Sequence, residues 1–244
     1  MKTQGWMHWS GGKDSAYTLW KLAQDQNHHV CGLVTSMSEE FRRISMHGVR
    51  EELLDAQASA LKLPVHKLLL PKDCTMADYD SYMLDELSKL KKQGAQACYF
   101  GDIFLEDLKA YREKQMTTAG LASHFPIWQE NDTMQMAKDI IASGVKAVIV
   151  CVSGKFFDPN FLGQEYDLDF LNNLPEGVDP CGENGEFHTF VYDSPLFSTP
   201  LHIQKGEAVN RTYTPGGSPE DDEDCDCCKT WDTEFHFLDI TLTQ

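Results

Sequence analysis

From residue 6 to residue 101 the chain alternates apolar, strand-like runs with stretches of helical period, and that alternation restricts its fold more than any other feature. Trp6-Met7-His8-Trp9 is followed by Ala16, Leu19, Trp20 and Ala23 at i, i+3, i+4, i+7 spacing. His29 to Ser36 reads as a second strand. Leu53, Leu54, Ala58 and Leu61 mark a helix that must end near Pro64, and Val65 to Leu70 is a third strand closed by Pro71. Tyr79, Met83, Leu87 and Leu90 line another helix, Gly94 stops it, and Ala97 to Gly101 returns as a strand. Such a succession predicts an α/β fold, a Rossmann-like doubly wound parallel sheet with helices on both faces.

Past residue 101 the alternation loosens. Leu105 to Met116 has helical spacing, Phe125-Pro126-Ile127-Trp128 reads as short and extended, Met136, Ala137, Ile140 and Ile141 form a helix face, and Ala147 to Val152 is a buried strand. A boundary near 101 to 105 therefore divides the chain into residues 1–103 and a smaller α+β domain, 104–244, packed across a cleft. Phe235 to Leu242 is expected to be a terminal strand paired with Leu201 to Val209. The one low-complexity tract, Ser218 to Asp226, lies in an acidic, cysteine-containing loop at 216–229.

Charge narrows the partners. With 21 Lys+Arg against 38 Asp+Glu the formal charge is −17, so a nucleic acid is not an expected partner, because counterion release needs concentrated cations. No run of about eighteen apolar residues occurs, which argues against a membrane span. Met1-Lys2-Thr3-Gln4 leads into an alternating segment instead of a signal core, and a reducing cytoplasm is the expected setting for Cys31, Cys74, Cys98, Cys151 and Cys181. Cys225, Cys227 and Cys228 could offer thiolates to zinc, with Cys181 or His236 as a fourth ligand, but their spacing is tighter than zinc knuckles use and reduced thiols are the expectation.

Between the first strand and the first helix stands Ser10-Gly11-Gly12-Lys13-Asp14-Ser15. Paired glycines let successive N–H groups converge on an anion, the helix N-terminus adds its positive end, and Ser10, Ser15 and Lys13 add donors. The spacing is neither the Walker loop nor the dinucleotide fingerprint. It resembles the PP-loop of the ATP pyrophosphatase superfamily, whose fold is of the HUP type. The resemblance implies ATP as co-substrate, cleaved to AMP and pyrophosphate with the substrate oxygen transiently adenylated, and Mg²⁺ as helper. On that basis Ser10 to Ser15 are the nucleotide candidates; position adds Gly101 and Asp102 at the end of the fourth strand, where Gly101 could instead simply close the strand, and His47 before the next helix, where a solvated or capping role is the alternative. Asp14 is the candidate to contact the metal, helix capping being its other possible role.

A second motif, Asp179-Pro180-Cys181-Gly182-Glu183-Asn184-Gly185-Glu186-Phe187-His188-Thr189-Phe190, alternates glycines with carboxylates. By itself it fits either a solvated acidic turn or a loop presenting acceptors to a ligand. The two motifs together resemble the diphthine-ammonia ligase family, over residues 6 to about 205. In that family a carboxylate of diphthine, a modified histidine on elongation factor 2, becomes an amide. The chain is most similar to the shorter bacterial-type branch, where diphthamide is not expected. Two departures stand out: Asn184 replaces a glycine and His188 replaces a glutamate.

The resemblance makes residues 1–103 an ATP-binding domain and 104–244 a substrate-binding one. It makes the chain an AMP-forming ligase that adenylates a small-molecule or protein carboxylate for amidation by ammonia. Lys13, Asp14, Glu183, Glu186 and His188 are then the catalytic candidates, the last three suited to holding or deprotonating ammonium. Arg112, Glu113, Gly182, Asn184, Gly185 and Thr189 are candidates for the substrate. Sulfur transfer to a nucleic acid and ATP sensing without turnover are the alternatives.

Overall fold

A computed structural model describes residues 2–45, 47–213 and 233–243. Strand β1 (Thr3–His8) lies at the centre of the first sheet, between β2 (His28–Ser38) and β5 (Ala97–Tyr99) and parallel to both. Strand β4 (Val65–Leu70) adds to the far edge of β2 and β6 (Ala122–His124) to β5, both in parallel. The expected parallel sheet is therefore present, its order reversing between β1 and β5, the switch point where open α/β sheets take ligands.

Helices cover both faces. Helices α1 (Lys13–Gln24) and α2 (Glu51–Leu61) bury Leu19, Leu53 and Leu54 in one apolar cluster with Met7 and Trp9. On the other face α3 (Met76–Lys92) and α4 (Glu106–Ala119) bury Met83, Leu87, Leu90 and Met116 with Trp6 and Phe100. The cause is strand alternation: Trp6 and Met7 are neighbours in β1, so they enter different clusters. Helix α3 starts at a reciprocal capping box between Thr75 and Asp78, and α2 stops at Lys62 in left-handed conformation, two residues before Pro64.

Strand β2 outruns β1. Leu33 and Val34 pair with both β1 and β4, whereas Met37 and Ser38 pair with β4 and with the two-residue antiparallel β3 (Arg43–Ile44). Strand β3 thus occupies the edge of β2 that β1 vacates, directly past the point where the Ser10 loop leaves the sheet.

The first sheet does not stop at the boundary expected near 101 to 105. Because β6 pairs with β5, residues through His124 belong to it, and the change of sheet comes later. The extended run expected at Phe125–Trp128 is also displaced: the strand is Ala122–His124, and Pro126 to Gln129 form a turn. After α5 (Thr133–Ala142) the second sheet is antiparallel throughout, in the order β8 (Phe187–Asp193), β7 (Lys146–Ser153), β10 (Thr233–Leu242), β9 (Ile203–Tyr213). The terminal strand pairs with β9 as expected, with a bulge between Leu238 and Ile240. Ile149 and Phe190 join the same apolar cluster as Leu19 and Leu53, so the second sheet packs on the α1 and α2 side. Among the described residues no helix is long and apolar enough to cross a membrane. The acidic loop 216–229 with Cys225, Cys227 and Cys228 lies outside the described residues.

Candidate active site at the end of the first strand

The loop turns as its glycines predict. Gly11 has φ +80°, and Gly12 caps α1, whose Ala16 N–H returns to the Gly12 carbonyl. The Ser10 hydroxyl accepts from the Gly12 N–H at 3.2 Å, and the Ser15 hydroxyl donates to the Gly12 carbonyl at 2.9 Å. Gly101 follows β5, and a Cβ there would sit 3.1 Å from the backbone of Asp14 and Ser15. Its missing side chain lets the end of β5 close on the first turn of α1, a packing reason for glycine in addition to the expected nucleotide one.

Strand β8 clasps the loop from the other sheet. Thr189 Oγ1 accepts from the Lys13 N–H at 3.0 Å, and Val191 N–H donates to the Gly11 carbonyl at 2.9 Å. His47, delivered by the turn after β3, lies over the loop: a Cβ on Gly12 would be 2.9 Å from its Cε1, and its Nδ1 is 3.2 Å from the Thr189 carbonyl oxygen. Its ring is 4.6 Å from that of His188. Burial holds both imidazoles neutral, lowering His47 to about 4 and His188 well below its ordinary range.

The Lys13 ammonium is buried against the 179–187 segment, where it meets the Cys181 carbonyl and, at 2.9 Å, Asp14 Oδ2. The rings of Tyr166 and Phe187 each lie 5.3 Å away. Burial is the largest single influence and opposes this charge, but Asp14, Cys181 and Glu183 together outweigh it and hold the lysine above its ordinary range. A cation buried to this degree goes where oxygens surround it, here the loop of the other sheet.

The Gly-Glu segment splits its two glutamates. Glu186 is 2% exposed and accepts from the N–H groups of Asp179 and Asn184 and from the Asn184 side chain, each at 3.0 Å. It organises its own loop instead of facing a ligand, and Asn184 is engaged with it. Gly182, at φ +66°, would clash with the Phe187 ring at 2.9 Å if it had a Cβ; Gly185, at φ +83°, faces open space. Glu183 points to the first sheet, where its Oε1 accepts from the Ile103 N–H at 2.8 Å. Burial pushes this carboxyl up to about 7, and nearby Asp14 adds to the rise.

Asp102 and Arg112 complete the rim. Arg112 Nε comes within 2.8 Å of Asp102 Oδ2 at an angle too poor for a hydrogen bond, and its guanidinium lies 4.7 Å from the centre of the Phe100 ring. Burial raises the Asp102 pKa while Arg112 opposes the rise. Glu113 is not brought to the site: its side chain is 50% exposed, 3.9 Å from Lys109.

Two residues with no motif to mark them also belong here. His8, the last residue of β1, lies with its ring centre 4.4 Å from that of Phe100 and tilted by 35°, its pKa lowered to about 3 by burial and by Arg112. Gln57 on α2 reaches the Gly11 carbonyl at 3.0 Å. Neither carries a sequence signal, since a lone histidine in a strand or a lone glutamine on an amphipathic helix reads as ordinary packing.

Five buried polar atoms around this rim make no hydrogen bond: His8 Nε2, Asp14 Oδ1, Asp102 Oδ2, Arg112 Nε and His188 Nε2. Buried polar atoms are normally satisfied, so their convergence at the strand ends fits a polar ligand. A cavity of about 850 Å³ between the β2–β3 corner and the β9–β10 ladder is lined by none of the expected site residues.

A model of the diphthamide synthase N-terminal domain matches residues 1–123, and one of the C-terminal domain matches residues 132–216. The chain belongs to the diphthamide synthase family. The family's division between 123 and 132 coincides with the change of sheet after β6. Diphthine-ammonia ligase from Mus musculus is 28% identical over 224 residues, covering 82% of each chain. The ligase from Homo sapiens is 27% identical over 222 residues, again 82% of each, and that from Danio rerio 24% over 221 residues, covering 82% of this chain and 86% of its own. A predicted subunit of tRNA methyltransferase from Methanocaldococcus jannaschii superposes with a TM-score of 0.42 at 13% identity, covering 79% of this chain and 98% of that one. The fold assignment rests on the strand order itself.

Proposed function

We propose that this family member is an ATP-dependent ligase that adenylates a carboxylate and passes it to ammonia, releasing AMP and pyrophosphate. The observation carrying this reading is the set of buried polar atoms without hydrogen bonds, His8 Nε2, Asp14 Oδ1 and His188 Nε2 beside the Asp102–Arg112 ion pair, around a glycine loop at the switch point of the sheet. The ligase relatives supply the carboxylate and ammonia.

The donors fit a nucleotide with a magnesium ion. Gly11, Gly12 and the N-terminus of α1 would hold the phosphates, with Ser10 and Ser15 hydroxyls beside them. Asp14 Oδ1 is a buried, unshared carboxylate oxygen, the hard donor Mg²⁺ takes. When bound, the ion would offset negative charge on the departing pyrophosphate.

In the first step an acceptor carboxylate oxygen bonds to the α-phosphorus and pyrophosphate leaves. In the second, ammonia bonds to the acyl carbon, AMP leaves, and a proton from nitrogen must be taken up. Glu183 is suited to that uptake, because a carboxyl near neutrality can both accept and release a proton at physiological pH. Arg112 would turn toward the acceptor carboxylate, its contact with Asp102 being poorly aligned. His188 stands where the resembled pattern has a glutamate, and it offers a neutral acceptor in place of a charge. A cytoplasmic setting belongs to the same reading, supported by free thiols at Cys31, Cys74, Cys98, Cys151 and Cys181.

Incubation with ATP, Mg²⁺, ammonium and diphthine-bearing elongation factor 2 or small carboxylic acids tests the proposal. AMP formation that requires both the acceptor and ammonium is expected. Sulfur incorporation into a nucleic acid, or ATP binding with no AMP under any acceptor, would overturn it.

A further inference from the structure

We propose that Gln57 is the positioning residue of the phosphate loop, setting the orientation of the peptide between Gly11 and Gly12. The inference rests on the loop being the ATP site. Gln57 is 0% exposed, and its amide makes three hydrogen bonds, two to the 9–11 segment and one to β8. Its Oε1 accepts from the Trp9 indole N–H at 2.8 Å; its Nε2 donates to the Gly11 carbonyl at 3.0 Å and to the Val191 carbonyl at 2.7 Å. Rotating the amide by half a turn would set Oε1 against two carbonyls and leave the indole N–H facing a donor. The orientation is therefore fixed.

The effect on the loop follows from peptide planarity. The Gly11 carbonyl is drawn toward α2 and β8 by two donors, Gln57 Nε2 and the Val191 N–H. In a trans peptide the N–H points opposite to the carbonyl, so the Gly12 N–H is turned away from α2, where it meets the Ser10 hydroxyl at 3.2 Å. That is the side on which the loop's donors can receive a phosphate. The same contact explains the glycine: at φ +80° a Cβ on residue 11 would stand 2.9 Å from Gln57 Oε1 and push the amide off its partners. Gln57 touches neither reacting atoms nor nucleotide in this scheme and acts through the loop backbone. Because it also holds the Val191 carbonyl, it couples the loop to β8 of the second sheet.

The test uses the full chain with Gln57→Met, which keeps bulk and removes the donors, and Gln57→Glu, which keeps shape and replaces two donors with acceptors. Mg–ATP affinity is measured by calorimetry, AMP formation gives KM and kcat, and the ¹⁵N–¹H signal of Gly12 reports the peptide. For Gln57→Met we expect ATP affinity to fall about tenfold or more, KM to rise further than kcat falls, and the Gly12 signal to move. Gln57→Glu should bind ATP poorly at about pH 8 and recover part of it at about pH 6, as a buried carboxyl regains one proton to donate. A merely structural residue would shift the melting temperature without these changes. Wild-type binding of Mg–ATP that persists within about twofold in Gln57→Met, with the Gly12 signal unmoved, would overturn the inference alone. A wild-type chain that binds no Mg–ATP would overturn the phosphate-loop reading and the inference with it.

Discussion

The backbone N–H of Lys13 and the side-chain hydroxyl of Thr189, 176 residues apart, meet at 3.0 Å, so the first turn of α1 is held by the second sheet. Replacing Thr189 with valine keeps the shape and removes the acceptor. The orphaned N–H should cost about 1–3 kcal/mol, read by urea denaturation, and ATP affinity should fall with it. Thr189→Ser should restore both. Wild-type stability in Thr189→Val would show that this bond is not what ties the loop to β8.

Glu183, whose carboxyl burial pushes up to about 7, predicts a rising limb in AMP formation. The base is the ionised form, so at constant free ammonia the rate should increase as pH rises through about 7. Glu183→Gln should abolish that limb and slow the reaction by about 10²–10⁴-fold, the usual range for a general base. An unchanged pH profile in the glutamine variant would assign proton uptake elsewhere.

Arg112 and Glu113 are adjacent in sequence but different in setting. Arg112→Met leaves the buried Asp102 carboxylate without its counter-charge and should destabilise the chain by about 3 kcal/mol, while lowering turnover. Glu113→Gln, on an exposed side chain, should stay within about 0.5 kcal/mol and leave AMP formation unchanged. Equal losses from the two would refute the placement of Glu113 outside the site.

Asp239 lies at the bulge of β10 and accepts from Arg43 at 2.9 Å and from Arg50 at 2.8 and 2.5 Å. These bonds hold its carboxyl down at about 2, against an ordinary 3.8. A carboxyl depressed in the folded state stabilises fully above its unfolded value, and that contribution is lost as pH falls through the folded one. Asp239→Asn should therefore cost about 1–2 kcal/mol at neutral pH, with the difference from wild type vanishing between about pH 4 and pH 2. Melting curves across that range provide the check.

The parallel sheet was legible because each strand and helix carries its own period: Trp6 and Met7 face opposite ways, and Leu53, Leu54 and Ala58 share one side. The boundary was not, since Ala122–His124 is three residues long and its membership in the first sheet depends on pairing with β5. The Phe125–Trp128 run failed for a related reason, as an apolar stretch with an internal proline packs equally well as a turn.

Local chemistry in the sequence alone determined the loop. Paired glycines before a helix start mark a tight turn there, and the turn is present, with Gly11 at φ +80° and α1 beginning at Lys13. Only the tertiary structure decided what surrounds it. The Lys13 ammonium lies where it does because the Cys181 carbonyl of the 179–187 segment meets it, and Glu186 faces inward because Asp179 and Asn184 present N–H groups to it. Gln57 touches Gly11 because α2 packs across the end of β1. Directions of this kind are set by which donors and acceptors burial brings together, and the segments supplying them are far apart along the chain.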